Sequence, residues 1–313
     1  MIVKRLVTAS APATVANVGC GFDIMGFALK GKGDRVTVTM QEDTDDKCLV
    51  ISGYNQMEIP CERDRNTAGV AIDAYLKATG NSGIKLGISL EKKLPPGSGM
   101  GSSASSAAAA VLAVNSLFGD PLDLPDLIPF AMEGERVASG TAHADNVAPA
   151  LLGGFILIRS HDPLDLIRIK CPDHLYCAVV HPDIRINTSD ARRILNLDIP
   201  ISDATRQSAN TAAFVTGLLK GDIELIGRSM SDLLAEPKRT MLIPGFDQVK
   251  KTAMNAGAIG CGISGSGPSV FALAGGYQKA VHVADLMKDS FMETGLSSSS
   301  FISSLNEPGA IIE

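Results

Sequence analysis

The residues best suited to chemistry lie in one stretch, Pro95-Pro96-Gly97-Ser98-Gly99-Met100-Gly101-Ser102-Ser103, where glycines alternate with small residues and hydroxyls. Glycine at 97, 99 and 101 lets the backbone take positive φ and turn its N–H groups toward one concavity. Ser102 or Ser103 then caps a helix running through Ala107–Ala110, whose unpaired N–H groups and positive dipole end face the same place. Backbone donors, a dipole end and the absence of side-chain bulk suit an anion, above all a phosphate. The hydroxyls would serve as phosphate donors or as a ligand of a phosphate-bound Mg²⁺. A flexible Gly/Ser linker is the alternative, but the flanks are ordered in pattern. Residues 84–90 alternate like a strand, while Val111, Leu112, Val114, Leu117 and Phe118 recur at helical spacing. No Lys follows the last glycine as a Walker loop requires, and the dinucleotide pattern fails as well.

Further polar residues stand among small ones. Asn17 and Asp23 lie in the small-residue run 9–23, either as turn formers or as members of a site. His143, Asp145 and Asn146 cluster in a loop expected over 139–153. A lone His carries little information, but Glu135 precedes it and the phosphate loop precedes both, so a corner for metal and substrate is expected. Carboxylate oxygens suit Mg²⁺ better than imidazole nitrogens do, which makes Glu135 the better metal candidate. A second glycine cluster, Gly260 to Ser269, sits between two strand-like runs. It is either a tight hairpin turn or a backbone surface pressed against the first loop or the substrate.

The elements that must position these residues follow from periodicity. Strands are expected at 2–8, 36–40, 48–51, 84–90, 155–158, 175–180 and 299–305, with a polar turn from Glu42 to Asp46. Helices are expected from Asn66, which would serve as N-cap, from Leu124-Pro125 to Ala138, from Asn187 to Arg193, and over 203–219, 222–234, 246–256 and 277–292. Glu236-Pro237-Lys238-Arg239 reads as a charged turn, and His161-Asp162-Pro163 as a break dividing residues 1–162 from 163–313. The order of elements after residue 171 suggests a sheet covered by helices on one face.

At 313 residues the chain can hold one large or two ordinary domains. Hydrophobic residues at 45% and charged residues at 20% fit a folded protein. A net charge of −6 without a basic block argues against a nucleic-acid partner. The six cysteines have no zinc spacing and are too sparse for a disulfide framework, so buried thiols in a reducing cytosol are expected. After Lys4 and Arg5 no apolar run of signal-peptide length follows, and no run approaches the ~20 residues of a membrane helix. A cytoplasmic location is therefore expected, with no membrane partner.

The run from Pro95 to Ala104 resembles the phosphate loop of the GHMP small-molecule kinases, with Met100 where that family usually has Leu. Three glycine-rich signatures, near the amino terminus, at 95–106 and at 262–269, stand in the family's order, and the resemblance covers essentially the whole chain. Ala13 to Gly26 and His143 to Pro149, with its Gly153-Gly154-Phe155 ending, resemble the branch acting on homoserine. The resemblance implies an α+β two-domain GHMP kinase fold: an N-terminal αβ domain with the phosphate loop and a C-terminal ferredoxin-like α/β sandwich. It implies ATP- and Mg²⁺-dependent phosphorylation of the side-chain hydroxyl of L-homoserine to O-phospho-L-homoserine, on the way to threonine.

Residue by residue, the resemblance gives Arg192 and Arg239 the substrate carboxylate, and Asp23 with Asn17 the amine and hydroxyl end. His143, Asp145 and Asn146 would line the same pocket with Thr188 and Gly265, Asn146 standing near the reacting hydroxyl; Asn146 and Asp23 are the catalytic candidates. Ser103 and Glu135 match the Mg²⁺ ligands, Asn66 a residue near the adenine, and Pro95, Gly97, Ser98, Gly99, Met100, Gly101, Ser102 and Ser103 the phosphate site. Many relatives place an Asp and Lys pair at the hydroxyl; no equivalent is identified and no base is assigned. Positioning and charge neutralisation would then supply most of the rate. Two alternatives remain: a GHMP kinase for another small alcohol, such as mevalonate or a sugar, or a non-catalytic nucleotide-binding relative. Ser103, Glu135 and Asp23 count against the latter. Homodimerisation is an expectation from base rates alone.

Overall fold

The computed structural model describes residues 4–40, 47–54, 58–195 and 198–313. The turn expected over Glu42–Asp46, and the first residues of the strand expected from Ile2, lie outside them. Two sheets share one interior. The larger contains β1 (Leu6–Ala16), β2 (Met25–Met40), β3 (Val50–Gly53), β4 (Leu86–Lys92), the hairpin β5 (Phe155–His161) and β6 (Leu164–Ile169), and a late strand noted below. On it pack α1 (Thr67–Ala78), α2 (Ser102–Leu117), α3 (Leu124–Ser139) and α4 (Ala144–Leu152). The smaller sheet begins with β7 (Leu175–Pro182). The helices α5 (Thr188–Arg193), α6 (Ile201–Lys220), α7 (Ile223–Ser229), α8 (Glu236–Arg239) and α9 (Phe246–Asn255) follow. Then come β8 (Gly260–Ile263), β9 (Val270–Gly275), α10 (Tyr277–Glu293) and β10 (Ser298–Ser304). The chain ends by returning β11 (Ile311–Ile312) to the edge of the larger sheet, against β1.

The larger sheet has the order β11-β1-β2-β4-β3, and its long strand β2 serves two partners besides β1: Arg35–Met40 pair with β4, while Met25–Phe27 pair with β5. The smaller sheet, β10-β7-β9-β8, is antiparallel throughout. That is the split βαβ arrangement, with α9 and α10 covering one face. The other face looks toward the larger sheet across a shared core. There Phe27 stacks on Phe155 with ring centroids 5.9 Å apart, and Phe155 meets Phe214 of α6 at 6.1 Å.

Several elements depart from the sequence expectation. The small-residue run after Thr8 continues as strand to Ala16: Val7, Ala9 and Ala11 are buried while their neighbours are less so, and Ala13–Ala16 are buried throughout. The loop expected over 139–153 contains α4, a helix of small apolar residues. It lies so close to β2 that a side chain at Gly26 would collide with the Asp145 carbonyl. The second helix after residue 200 stops at Ser229, and Glu236–Arg239 form a helical turn whose entry is capped by Asp232, which accepts from the N–H groups of Leu234, Ala235 and Glu236. The break at Asp162-Pro163 is a turn inside the β5–β6 hairpin, so both flanking strands belong to the larger sheet. The chain passes to the smaller sheet only between Ile169 and Leu175.

Candidate active site

β4 delivers the chain into the glycine loop, and α2 carries it away. The alternation of β4 buries Leu86, Ile88, Leu90 and then Lys92. A lysine in an apolar register needs partners. Lys92 Nζ donates to the Asp34 carboxylate, to the Ser102 carbonyl (2.9 Å) and hydroxyl (2.8 Å), and to Ser106 Oγ (3.0 Å). Asp34, fully buried, also accepts from Ser106 Oγ and from the N–H groups of Lys93 and Leu94. This network anchors both ends of the loop to β2. It was not foreseen, although the even-numbered register of the strand pointed to it.

The loop forms one wall of a cavity of about 360 Å³. Gly97, Ser98, Gly99, Gly101, Ser102 and Ser103 line it, together with Lys92, Asn66, Glu135, Asn146, Thr188 and Gly265. Gly101 is the N-cap of α2 at φ +64°, and a side chain there would run into Thr14 Oγ1 and Asn146 Oδ1. Two residues expected at the phosphate do not line the cavity. Pro95 precedes the wall, and Met100 turns its side chain into the shared core, 1% exposed. Asn66 does line the cavity, but its amide is committed to structure: Oδ1 caps α1 by accepting from Ala68 N–H, and Nδ2 donates to the Pro60 carbonyl.

Glu135 projects from α3 and is hydrogen-bonded to Ser103, so the two expected Mg²⁺ ligands are adjacent. Burial pushes the Glu135 carboxyl up to about 7, against the lowering effects of Ser103 and Lys92. Among the described residues no cluster of three or more His, Cys, Asp or Glu side chains forms a metal centre on its own. One carboxylate and one hydroxyl facing a phosphate wall nevertheless fit Mg²⁺, which takes the rest of its shell from phosphate oxygens and water.

Behind this cavity lies a cluster of opposite charges. Asn17 and Asp23 both hold positive φ, +69° and +59°, in the tight turn between β1 and β2. Asn17 Oδ1 accepts from the Asp23 N–H at 3.0 Å, which fixes the turn, while its Nδ2 donates to the Gly265 carbonyl at 2.9 Å. The Asp23 carboxylate accepts two hydrogen bonds from Arg192 of α5, at 2.9 and 3.1 Å. Arg239 of α8, 3% exposed, donates to the carbonyls of Ala191 (3.2 Å) and Gly265 (2.9 Å). Both guanidinium groups lie over the Phe22 ring, 5.8 and 5.4 Å from its centroid. Burial lowers the pKa of Arg239, countered by Asp23.

His143 stands at the N-cap position of α4, 3.8 Å from Asp23, with neither ring nitrogen hydrogen-bonded. Burial lowers its pKa more than Asp23 raises it. Asp145 is 5% exposed, and burial followed by the charges of Asp23 and Glu135 pushes its carboxyl up to about 7. Asn146 reaches the other way: its Oδ1 accepts from Thr14 Oγ1 at 2.6 Å, and it lines the cavity. Thr188 touches Ser266 Oγ at 3.4 Å. Asp23, His143, Asp145, Arg192 and Arg239 thus form one group, joined to the cavity through Asn146 and Gly265 rather than lining it. A Lys–Asp pair, Lys92 and Asp34, lies beneath the loop and outside this group.

Family models match the chain in two places, the GHMP kinases N terminal domain over residues 66–154 and the GHMP kinases C terminal over 214–291. The chain belongs to the GHMP kinase family. It is 50% identical to the homoserine kinase of Chloroherpeton thalassium over 92% of each chain, and 47% identical to that of Chlorobium phaeobacteroides over 98% and 99%. The crystal structure of homoserine kinase from Cytophaga hutchinsonii superposes with a TM-score of 0.92 at 45% identity, covering 100% of this chain and 99% of that one.

Proposed function

We propose that this chain transfers the γ-phosphoryl group of ATP to the side-chain hydroxyl of L-homoserine, giving O-phospho-L-homoserine. The observation that carries this reading is the meeting, at Asn146 and Gly265, of a neutral glycine wall and a compact cluster of two carboxylates and two guanidinium groups. A small zwitterion needs both signs at close range, a guanidinium for its carboxylate and a carboxylate for its ammonium. A ligand without an ammonium would leave the carboxylates Asp23 and Asp145 with one counter-charge fewer.

In this reading the N–H groups of residues 97–103 receive the phosphates, Asn66 lies near the adenine, and Arg192 and Arg239 take the substrate carboxylate. Asp23, Asn17, His143 and Asp145 face the ammonium, Thr188 and Gly265 flank the substrate, and Asn146 orients the hydroxyl. Ser103 and Glu135 would hold Mg²⁺, which when bound supplies charge neutralisation at the phosphate oxygens. No side chain is assigned as base; fixed donors act where charge develops during in-line transfer. Among the described residues no helix is long and apolar enough to cross a membrane.

The test is ADP release from ATP and Mg²⁺, compared for L-homoserine, mevalonate, galactose and no acceptor. ADP release that depends on L-homoserine is expected. Turnover on another acceptor alone would overturn the substrate assignment.

A further inference from the structure

The second glycine cluster, between β8 and β9, does more than turn the chain. Four consecutive carbonyls of the phosphate loop accept hydrogen bonds from elsewhere in the protein. Gly97 O accepts from Ile186 N–H (3.2 Å), and Ser98 O from Ser269, through both N–H (3.2 Å) and Oγ (2.7 Å). Gly99 O accepts from Ser264 Oγ (2.7 Å), and Met100 O from Thr14 N–H (3.1 Å). None of these donors lines the cavity. In a trans peptide the C=O of one residue and the N–H of the next point in opposite directions. Holding the carbonyls away from the cavity therefore turns the N–H groups of Ser98, Gly99 and Gly101 toward it.

The Ser269 hydroxyl is itself held. Its single proton goes to the Ser98 carbonyl, so the nitrogen 3.1 Å away, His181 Nδ1 on β7, must be the donor to Ser269 Oγ. Ser264 and Ser269 are fully buried and His181 is 7% exposed, so water does not compete for these bonds.

We infer that Ser264, Ser269 and His181 are positioning residues for phosphoryl transfer, through which the smaller sheet fixes the peptide planes of the phosphate loop before nucleotide binds. The inference rests on the kinase reading above. Its physical content is preorganisation: donors already aimed at an anion need no rearrangement when it arrives. None of the three residues contacts the cavity, so they act through the loop alone.

The experiment is equilibrium titration of the purified protein with Mg²⁺-ATP, with adenosine as a competitor that lacks phosphates, alongside thermal melts. Ser269→Ala and Ser264→Ala are each expected to weaken ATP about 3- to 10-fold and to leave adenosine and L-homoserine affinity unchanged. Ser269→Thr, which keeps the hydroxyl, is expected to bind ATP like the wild type. The double variant Ser264→Ala/Ser269→Ala is expected to weaken ATP by the product of the single effects; if its thermal transition is lost, the single variants decide. ATP affinity within about two-fold of wild type in folded single variants, or a parallel loss of adenosine affinity, would overturn the inference. Failure of the wild type itself to bind ATP would overturn the kinase reading, and is seen before any variant is made.

Discussion

The two corners of the site are built from opposite materials. At the phosphate corner the ligating surface is backbone: glycines and serines carry no charge, and Lys92 and Asp34 neutralise each other beneath the loop. At the acceptor corner the surface is side chain: two arginines, two aspartates and a histidine drawn from β1–β2, α4, α5 and α8. The first is contiguous over a few residues; the second is assembled from segments far apart in the chain. A phosphate is common to many kinases and can be met by generic peptide groups, whereas a small acceptor must be recognised by the placement of particular charges. The corners should therefore fail separately when altered.

The largest separation is expected from Arg239→Ala. It removes a buried cation and should weaken L-homoserine by about 2–5 kcal/mol, with ATP affinity preserved. Calorimetric titration reads both, and an unchanged L-homoserine affinity would remove Arg239 from the acceptor corner. On the other side, Ser103→Ala and Glu135→Gln should each raise the Mg²⁺ concentration for half-maximal activity at least about ten-fold while leaving the L-homoserine KM in place. An unshifted Mg²⁺ dependence would end the ligand assignment.

A subtler distinction concerns protons. Asp145 has a carboxyl raised to about 7 by burial, so at neutral pH it is part protonated until an ammonium arrives. Binding of L-homoserine near pH 7 should then release about half a proton per site, read as a difference in binding heat between buffers of unlike ionisation enthalpy. Asp145→Asn should abolish that difference. The same shift has a stability consequence. The folded state holds this proton to higher pH than the unfolded chain does, so the Asp145 contribution to stability declines as pH rises from its ordinary value of 3.8 through about 7. The Tm of Asp145→Asn should gain on that of the wild type across the same range, and a constant gap would contradict it.

The smallest effect is expected at Asn66. Its side chain caps α1, so Asn66→Ala should cost about 1 kcal/mol of stability, seen as a lower Tm. A loss of ATP affinity without a change in Tm would restore to Asn66 the direct nucleotide role that its capping bonds argue against.

The same contrast explains what the sequence made legible. The glycine loop could be read because its chemistry lies in consecutive residues flanked by a strand and a helix, each with its own period. Arg192 and Arg239 could not be paired with Asp23 from spacing, since only the fold brings α5 and α8 to the β1–β2 turn; resemblance to the family supplied them. α4 was taken for loop because it is only nine residues long, has the polar residues Asp145 and Asn146 in its first turn, and carries Pro149 within it. Met100 was counted with the phosphate residues because it sits between two glycines that face the cavity, yet its side chain serves the core. Lys92 and Asp34 were missed for want of one step, extending the buried register of β4 to its last residue. Ser264 and Ser269 lay inside a cluster already marked, but nothing in one dimension shows which carbonyl a hydroxyl will meet.

The most direct measurement is a crystal structure with L-homoserine and a non-hydrolysable ATP analogue. Phosphates are expected on the N–H groups of residues 97–103. The amino acid carboxylate is expected at Arg192 and Arg239, and its hydroxyl beside Asn146, facing the terminal phosphate. Homoserine bound away from the arginines, or phosphates held by side chains with the loop N–H groups turned aside, would contradict this arrangement.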